Sequence, residues 1–157
     1  MIQKINVLGG IKMSKLGKKF GFIGGGQMGE AIIKGIINAG LCSTEDIYVM
    51  DILNSRLEYL KENLCIVNSS SDRSTGYDYL INNCDIIILA VKPQSLKEVL
   101  ESINNCKWDE RHMIISIVGG AKTSTIEKYL EQVPVVRVIP NTPMLVNIGA
   151  SGLALGK

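Results

Sequence analysis

Short apolar runs rich in isoleucine and valine alternate along the chain with longer segments whose apolar residues recur at helical spacing. Residues 20–23, 47–50, 86–91, 113–118 and 135–139 are apolar almost without a break. That pattern predicts strands buried on both faces, as in a parallel sheet between two helical layers. Residues 65–67 are a weaker strand candidate, and 146–155 predict one or two short strands at a sheet edge. Between these runs, Met28, Ile32, Ile33, Ile36 and Ile37 form a single helical stripe closed by Gly40. A helix over 55–63 places Leu57, Leu60 and Leu64 on a shared face. Pro93 suits a first helical turn ahead of Leu96, Val99 and Leu100. Ser124 with Glu127 predicts a capping box ahead of Ile126 and Leu130. The polar run 68–76 reads as a surface loop before a short helix, and Pro140-Asn141-Thr142-Pro143 ends the last central strand. Alternation of this kind predicts a doubly wound α/β fold, a mostly parallel sheet with helices on both faces.

Composition narrows the picture by exclusion. A length of 157 residues suits one domain, taken here as 19–157 after an N-terminal extension over 1–18 in which Met13 offers a second start. A net charge of +2 argues for neither nucleic acid nor an anionic membrane as partner. No apolar stretch approaches the ~20 residues needed to span a bilayer. The apolar run at 5–10 is too short for a signal peptide and has no cleavage pattern after it, so a cytoplasmic protein is expected. Cys42, Cys65, Cys84 and Cys106 are too evenly spread for a zinc or redox motif, which predicts reduced thiols in or near the core and no metal. His112 opens a strand at the end away from the presumed cleft and reads as structural. Arg137, inside an apolar strand, is either paired internally or exposed at an edge.

The chemistry concentrates in a glycine loop. Gly24-Gly25-Gly26-Gln27-Met28-Gly29 fits G-x-G-x-x-G, and it follows an apolar strand ending at Ile23 and opens an amphipathic helix. In that setting Gly24 permits a tight turn, Gly26 lets the backbone approach a pyrophosphate, and Gly29 seats the helix against the strand. The helix N-terminus offers free N–H groups and a positive dipole end to the phosphates. Asp51, at the end of the second strand, is placed to accept hydrogen bonds from the adenosine ribose, which favours NAD. Arg56 is the nearby cation that would compensate for the extra phosphate of NADP. Asp51 also reads as an ordinary strand-end turn residue. In an open sheet of this type ligands lie over the carboxyl ends of the strands. Ala90 and Val91 after one strand are therefore expected to face the cofactor, and Ile117, Val118 and Gly119 after another to line the same cleft. Lys92 reads either as functional or as a solvated loop cation, and composition favours the second. Asn141, held between prolines, either shapes its turn or touches cofactor or substrate. No acid–base constellation emerges, and no residue stands out as catalytic.

Three segments taken together, residues 21–32, Ala90-Val91-Lys92-Pro93-Gln94 and Arg137-Val138-Ile139-Pro140-Asn141-Thr142-Pro143, resemble pyrroline-5-carboxylate reductase in order and spacing. The resemblance covers about residues 19–156. It implies NADPH- or NADH-dependent reduction of the cyclic imine 1-pyrroline-5-carboxylate to L-proline, with the glycine loop on the pyrophosphate and 90–93 along the nicotinamide ribose. It also implies a homo-oligomeric full-length enzyme whose helical dimerisation domain, absent here, completes the substrate site. A chain without that domain is expected to turn over weakly or not at all and to self-associate. The family commonly has asparagine where this chain has Tyr77. Two other readings of the same residues are a different imine or β-hydroxyacid reductase and a non-catalytic NAD(P)-sensing module.

Overall fold

A computed structural model of the chain describes residues 16–140 and 151–156. The sequence folds as β1 (Phe20–Ile23), α1 (Gln27–Asn38), β2 (Ile47–Met50), α2 (Asn54–Leu64), β3 (Asn68–Ser70), α3 (Gly76–Asn83), β4 (Ile86–Leu89), α4 (Leu96–Ile103), β5 (Met113–Ser116), α5 (Thr123–Glu127), β6 (Val135–Pro140) and β7 (Ser151–Leu155). The strands form one seven-stranded sheet in the order β3-β2-β1-β4-β5-β6-β7. All neighbours are parallel except β6 and β7, which run antiparallel. The chain winds outward from β1 to β3, crosses back, and winds the other way from β4. This is the doubly wound arrangement that the apolar pattern predicts.

Alternate strand residues feed two cores. Phe20 and Phe22, with Val49 and Ile88, pack beneath Ile33 of α1 and Leu57 and Leu60 of α2. Ile23, Ile87 and Leu89 face the other way, onto Leu80 and Ile81 of α3, Leu100 of α4 and Ile126 of α5. Each fully buried aliphatic side chain of this kind stabilises the fold by roughly 1.5–3 kcal/mol. Helix α1 stops cleanly because Gly40 takes a positive φ of 68°. Gly40 N–H then donates to the Ile37 carbonyl at 2.9 Å and Leu41 N–H to that of Ile36 at 3.1 Å, a Schellman closure.

Several expectations need correction. Residues 65–67 are not a strand: Cys65 ends α2 in the left-handed region, with φ 56°. Ile66 plugs the core and Val67 is exposed. The strand begins one residue later, inside the polar run read as loop, because Asn68, Ser69 and Ser70 pair with Tyr48, Val49 and Met50 through backbone bonds alone. The Ser124–Glu127 capping box does not form. Lys122 is the residue with the extended conformation that a cap requires, which leaves Ser124 inside the first turn of α5. Pro93 opens a short 3₁₀ turn, Pro93–Ser95, ahead of α4. Of the expected edge strands, 151–155 is β7, and 146–150 lies outside the described residues.

Cys42 and Cys84 are buried and Cys106 is half-buried, whereas Cys65 is exposed. Burial pushes the Cys84 and Cys106 thiols up to about 12. His112 is buried in front of β5, its Nε2–H donating to the Ile81 carbonyl at 3.0 Å, so it is spent on structure at the amino edge of the sheet. No helix among the described residues is long and apolar enough to cross a membrane. Among the same residues no acidic, histidine or cysteine cluster is arranged for a metal ion.

Candidate functional site

Three strands end level with one another at the carboxyl edge. Ala90 N–H donates to the Ile23 carbonyl at 2.8 Å and Ile117 N–H to the Leu89 carbonyl at 3.0 Å. The segments 24–29, 90–93 and 117–120 therefore leave the sheet side by side and share one rim.

Sterics dictate the glycines of this rim. Gly24 has φ 101°, and a Cβ there would lie 2.6 Å from the Ala90 carbonyl oxygen. A Cβ on Gly29 would lie 2.7 Å from the Gly24 carbonyl oxygen, so only glycine lets α1 sit this close to the turn. Gly26 differs from both, because a Cβ built on it meets nothing within 4 Å. That is the open approach which the pyrophosphate of a dinucleotide requires. Gly26 is also the N-cap of α1 and provides no side-chain cap. The N–H groups of the first turn, including those of Gln27 and Met28, are thus left for an anion at the positive end of the helix dipole. The residues present fit a dinucleotide phosphate.

Asp51 and Arg56 grip the loop from below. Asp51 Oδ2 accepts from Gly25 N–H at 2.7 Å, and its Oδ1 accepts from Leu53 N–H at 3.0 Å. The carboxylate thereby joins the end of β2 to the glycine loop and to the start of α2. Arg56 is the other grip. Its Nε–H donates to the Gly25 carbonyl, one Nη2–H reaches the Gly26 carbonyl at 3.5 Å, and Nη2 also pairs with Glu30. The guanidinium lies 4.6 Å from the centroid of the Tyr59 ring. Glu30 is further bonded by Lys34 Nζ at 2.6 Å and by the Tyr59 hydroxyl at 3.3 Å. Partial desolvation pushes the Glu30 carboxyl up, but the hydrogen bonds from Lys34 and Arg56 outweigh it and hold the group below its ordinary value.

The other expected site residues are placed as follows. Ala90 and Val91 are half-buried at the rim, and the Ala90 methyl is 3.6 Å from where a Gly29 Cβ would be. Lys92 and Pro93 are exposed, and the Lys92 carbonyl accepts from Ser95 N–H at 2.9 Å, which starts the 3₁₀ turn. Ile117 is half-buried, and Gly119 is exposed with nothing within 4 Å of a Cβ. The side chains of Ile23 and Val118 are buried in the core, so both meet the rim only through their backbones. Tyr77 is buried in α3 and packs in the core. Arg137 is half-buried on β6 beside Ser116, and its Nε is buried without a hydrogen-bond partner among the described residues. Asn141 lies outside the described residues. Glu30 and Tyr59 were not anticipated from sequence. The Glu30–Lys34 spacing at i,i+4 was the one legible sign.

A family described as "NADP oxidoreductase coenzyme F420-dependent" matches residues 19–120, which hold the whole rim. The chain belongs to this family. Within it, the chain corresponds to the N-terminal NAD(P)-binding domain of pyrroline-5-carboxylate reductases. It is 41% identical over 141 residues to the pyrroline-5-carboxylate reductase of Methanosarcina acetivorans, an alignment covering 89% of this chain and 50% of that protein. Among solved structures it is similar to a pyrroline-5-carboxylate reductase from Coxiella burnetii, with 33% identity, TM-score 0.78, and coverage of 89% of this chain and 50% of that one. A second is the Plasmodium falciparum pyrroline carboxylate reductase solved with NADP bound, with 31% identity, TM-score 0.72, and coverage of 92% and 50%. The chain thus spans about half the length of the curated relatives it matches.

Proposed function

We propose that this chain is the NAD(P)H-binding part of a pyrroline-5-carboxylate reductase, which reduces the cyclic imine 1-pyrroline-5-carboxylate to L-proline. The observation that carries the reading is the open face of Gly26 at the uncapped start of α1, level with Ala90 and Ile117 on one rim. The backbone N–H groups at 26–28 hold the pyrophosphate. Asp51 fixes the loop and borders the adenosine ribose of NADPH or NADH. The small side of Ala90, with Val91, Lys92, Pro93 and the backbone at 117–119, borders the nicotinamide ribose.

The reduced nicotinamide, when bound, supplies the hydride. A protonated cyclic imine is already electrophilic at carbon, so this chain's task is to orient the two partners and exclude water. That is consistent with a rim without an acid–base pair among the described residues. The relatives' second half supplies the rest of the substrate site and the homo-oligomer. The 157-residue chain alone binds the dinucleotide but turns over slowly or not at all. Titration with NADPH and NADH tests the first clause. Imine-dependent NADPH oxidation tests the second, and turnover at the rate of a complete reductase would overturn it.

A further inference from the structure

Arg56 has two readings, and the geometry separates them. As the basic residue near the adenosine end, it is the obvious counter-ion for the 2′-phosphate that distinguishes NADPH from NADH. Yet the Nε–Nη2 edge of its guanidinium is already committed. Nε–H is given to the Gly25 carbonyl, Nη2 to Glu30 and, at 3.5 Å, to the Gly26 carbonyl, and one face lies 4.6 Å from the Tyr59 ring centroid. The arginine side chain is only 20% exposed in its pair with Glu30. Turning that edge to a phosphate, as bidentate recognition by Nε and Nη2 needs, would mean surrendering these contacts, and would leave the Glu30 carboxylate in the first turn of α1, beside the phosphate position, with Lys34 as the cation left to balance it.

We propose that Arg56 is a latch which shapes the glycine loop for either dinucleotide, and is not the ligand of a 2′-phosphate. Gly25 is held on both sides, its N–H by Asp51 at 2.7 Å and its carbonyl by Arg56. The Gly26 carbonyl is already turned into the helix, accepting from Glu30 N–H at 2.9 Å, so the carbonyl that Arg56 directs is that of Gly25. Turned toward the cleft, the Gly25 carbonyl would repel a pyrophosphate, whereas turned toward Arg56 it leaves the N–H groups of the first turn facing it. The same guanidinium neutralises Glu30, which would otherwise set a negative charge against the phosphates. The planar fork of arginine makes these contacts together, and the compact ammonium of lysine has no equivalent geometry. Arg56 is therefore a positioning residue, and this role rests on the proposed dinucleotide site.

The test compares Arg56→Met, Arg56→Lys and Glu30→Gln in the 157-residue chain by titration with NADH and NADPH, together with amide hydrogen exchange. A latch predicts that Arg56→Met weakens both cofactors by about the same factor, roughly tenfold, and that Arg56→Lys does not restore either. It also predicts faster exchange confined to residues 25–30, a change that appears with no dinucleotide present. Selective loss of NADPH with NADH unchanged, and its recovery in Arg56→Lys, would overturn the latch and assign Arg56 to the 2′-phosphate. Unchanged binding of both cofactors would overturn it as well. If Arg56→Met fails to fold, Glu30→Gln and Arg56→Lys carry the same comparison, since each keeps most of the local packing. Wild-type chain that binds neither dinucleotide would overturn the functional reading. Exchange at 25–30 would still report whether Arg56 orders the loop.

Discussion

At the scale of single residues, Gly24 and Gly26 of the loop do different work, and substitution separates their roles. Gly24→Ala drives a methyl against the Ala90 carbonyl in a backbone region that L-residues avoid, and is expected to destabilise the fold by about 2–3 kcal/mol. Gly26→Ala adds its methyl where nothing lies within 4 Å. It should cost less than about 1 kcal/mol, the loss of a tolerable N-cap residue, while sharply weakening dinucleotide binding. Thermal melts of the two variants check the contrast; equal destabilisation would show that the open face of Gly26 is not what sets it apart. The G-x-G-x-x-G spacing after an apolar strand made these residues readable from sequence. The Arg56–Glu30–Tyr59 cluster was not readable, because it joins α1 and α2, which the successive crossovers from β1 to β2 and from β2 to β3 lay side by side.

At the scale of elements, α1 and α2 are coupled by charge as well as by the Ile33–Leu57–Leu60 core. The Glu30 carboxyl is held below its ordinary 4.5 by Lys34 and Arg56 against the opposing effect of desolvation. A carboxyl with a depressed folded value contributes stability that is present above its unfolded value and is lost as pH falls through the folded one. The contribution of Glu30 should therefore be intact at neutral pH and fade below pH 4.5. Denaturant unfolding at neutral pH and at successively lower pH should show Glu30→Gln less stable than wild type, with the gap closing in acid. A gap that stays constant would place the origin of its stabilisation outside ionisation. Asp72 is also held low, by hydrogen bonds from Ser74 and Thr75, and its acid loss is common to both proteins and cancels in the comparison. Elements with an apolar period were legible: the four-residue strands β1 and β2 and the stripe of α1 fall where the pattern puts them. Strand β3 was not, because a polar edge strand is held by its ladder with β2 and carries no burial pattern. The start of α5 was missed for a related reason, since this five-residue helix is anchored by burying its own Ile126 and has no side-chain cap.

At the scale of the whole molecule, the topology leaves one part of the sheet thinly covered. Register pairs Val136 with Leu155 and Val138 with Leu153, so these side chains share a face with Ile115. Helices α1 and α2 cover that face over the first half of the sheet, but at its far edge Leu153 and Leu155 are 73% and 79% exposed. An apolar edge strand without a charge along its length invites pairing with a second chain. Sedimentation velocity should show concentration-dependent self-association, reduced in Leu153→Lys; identical behaviour of the two proteins would remove β7 from the interface. The doubly wound sheet and its carboxyl rim were legible from the alternation of runs, whereas the exposure of β7 follows from three-dimensional layering that a linear pattern does not carry. The proposed function requires that the open start of α1 hold a dinucleotide. Isothermal titration of NADPH and NADH into the chain and into Gly26→Ala tests it. Saturable binding of one dinucleotide per chain, at least about tenfold weaker in a variant that melts like wild type, is the predicted result. Equal affinity in both proteins, or no binding to the wild-type chain, would contradict it.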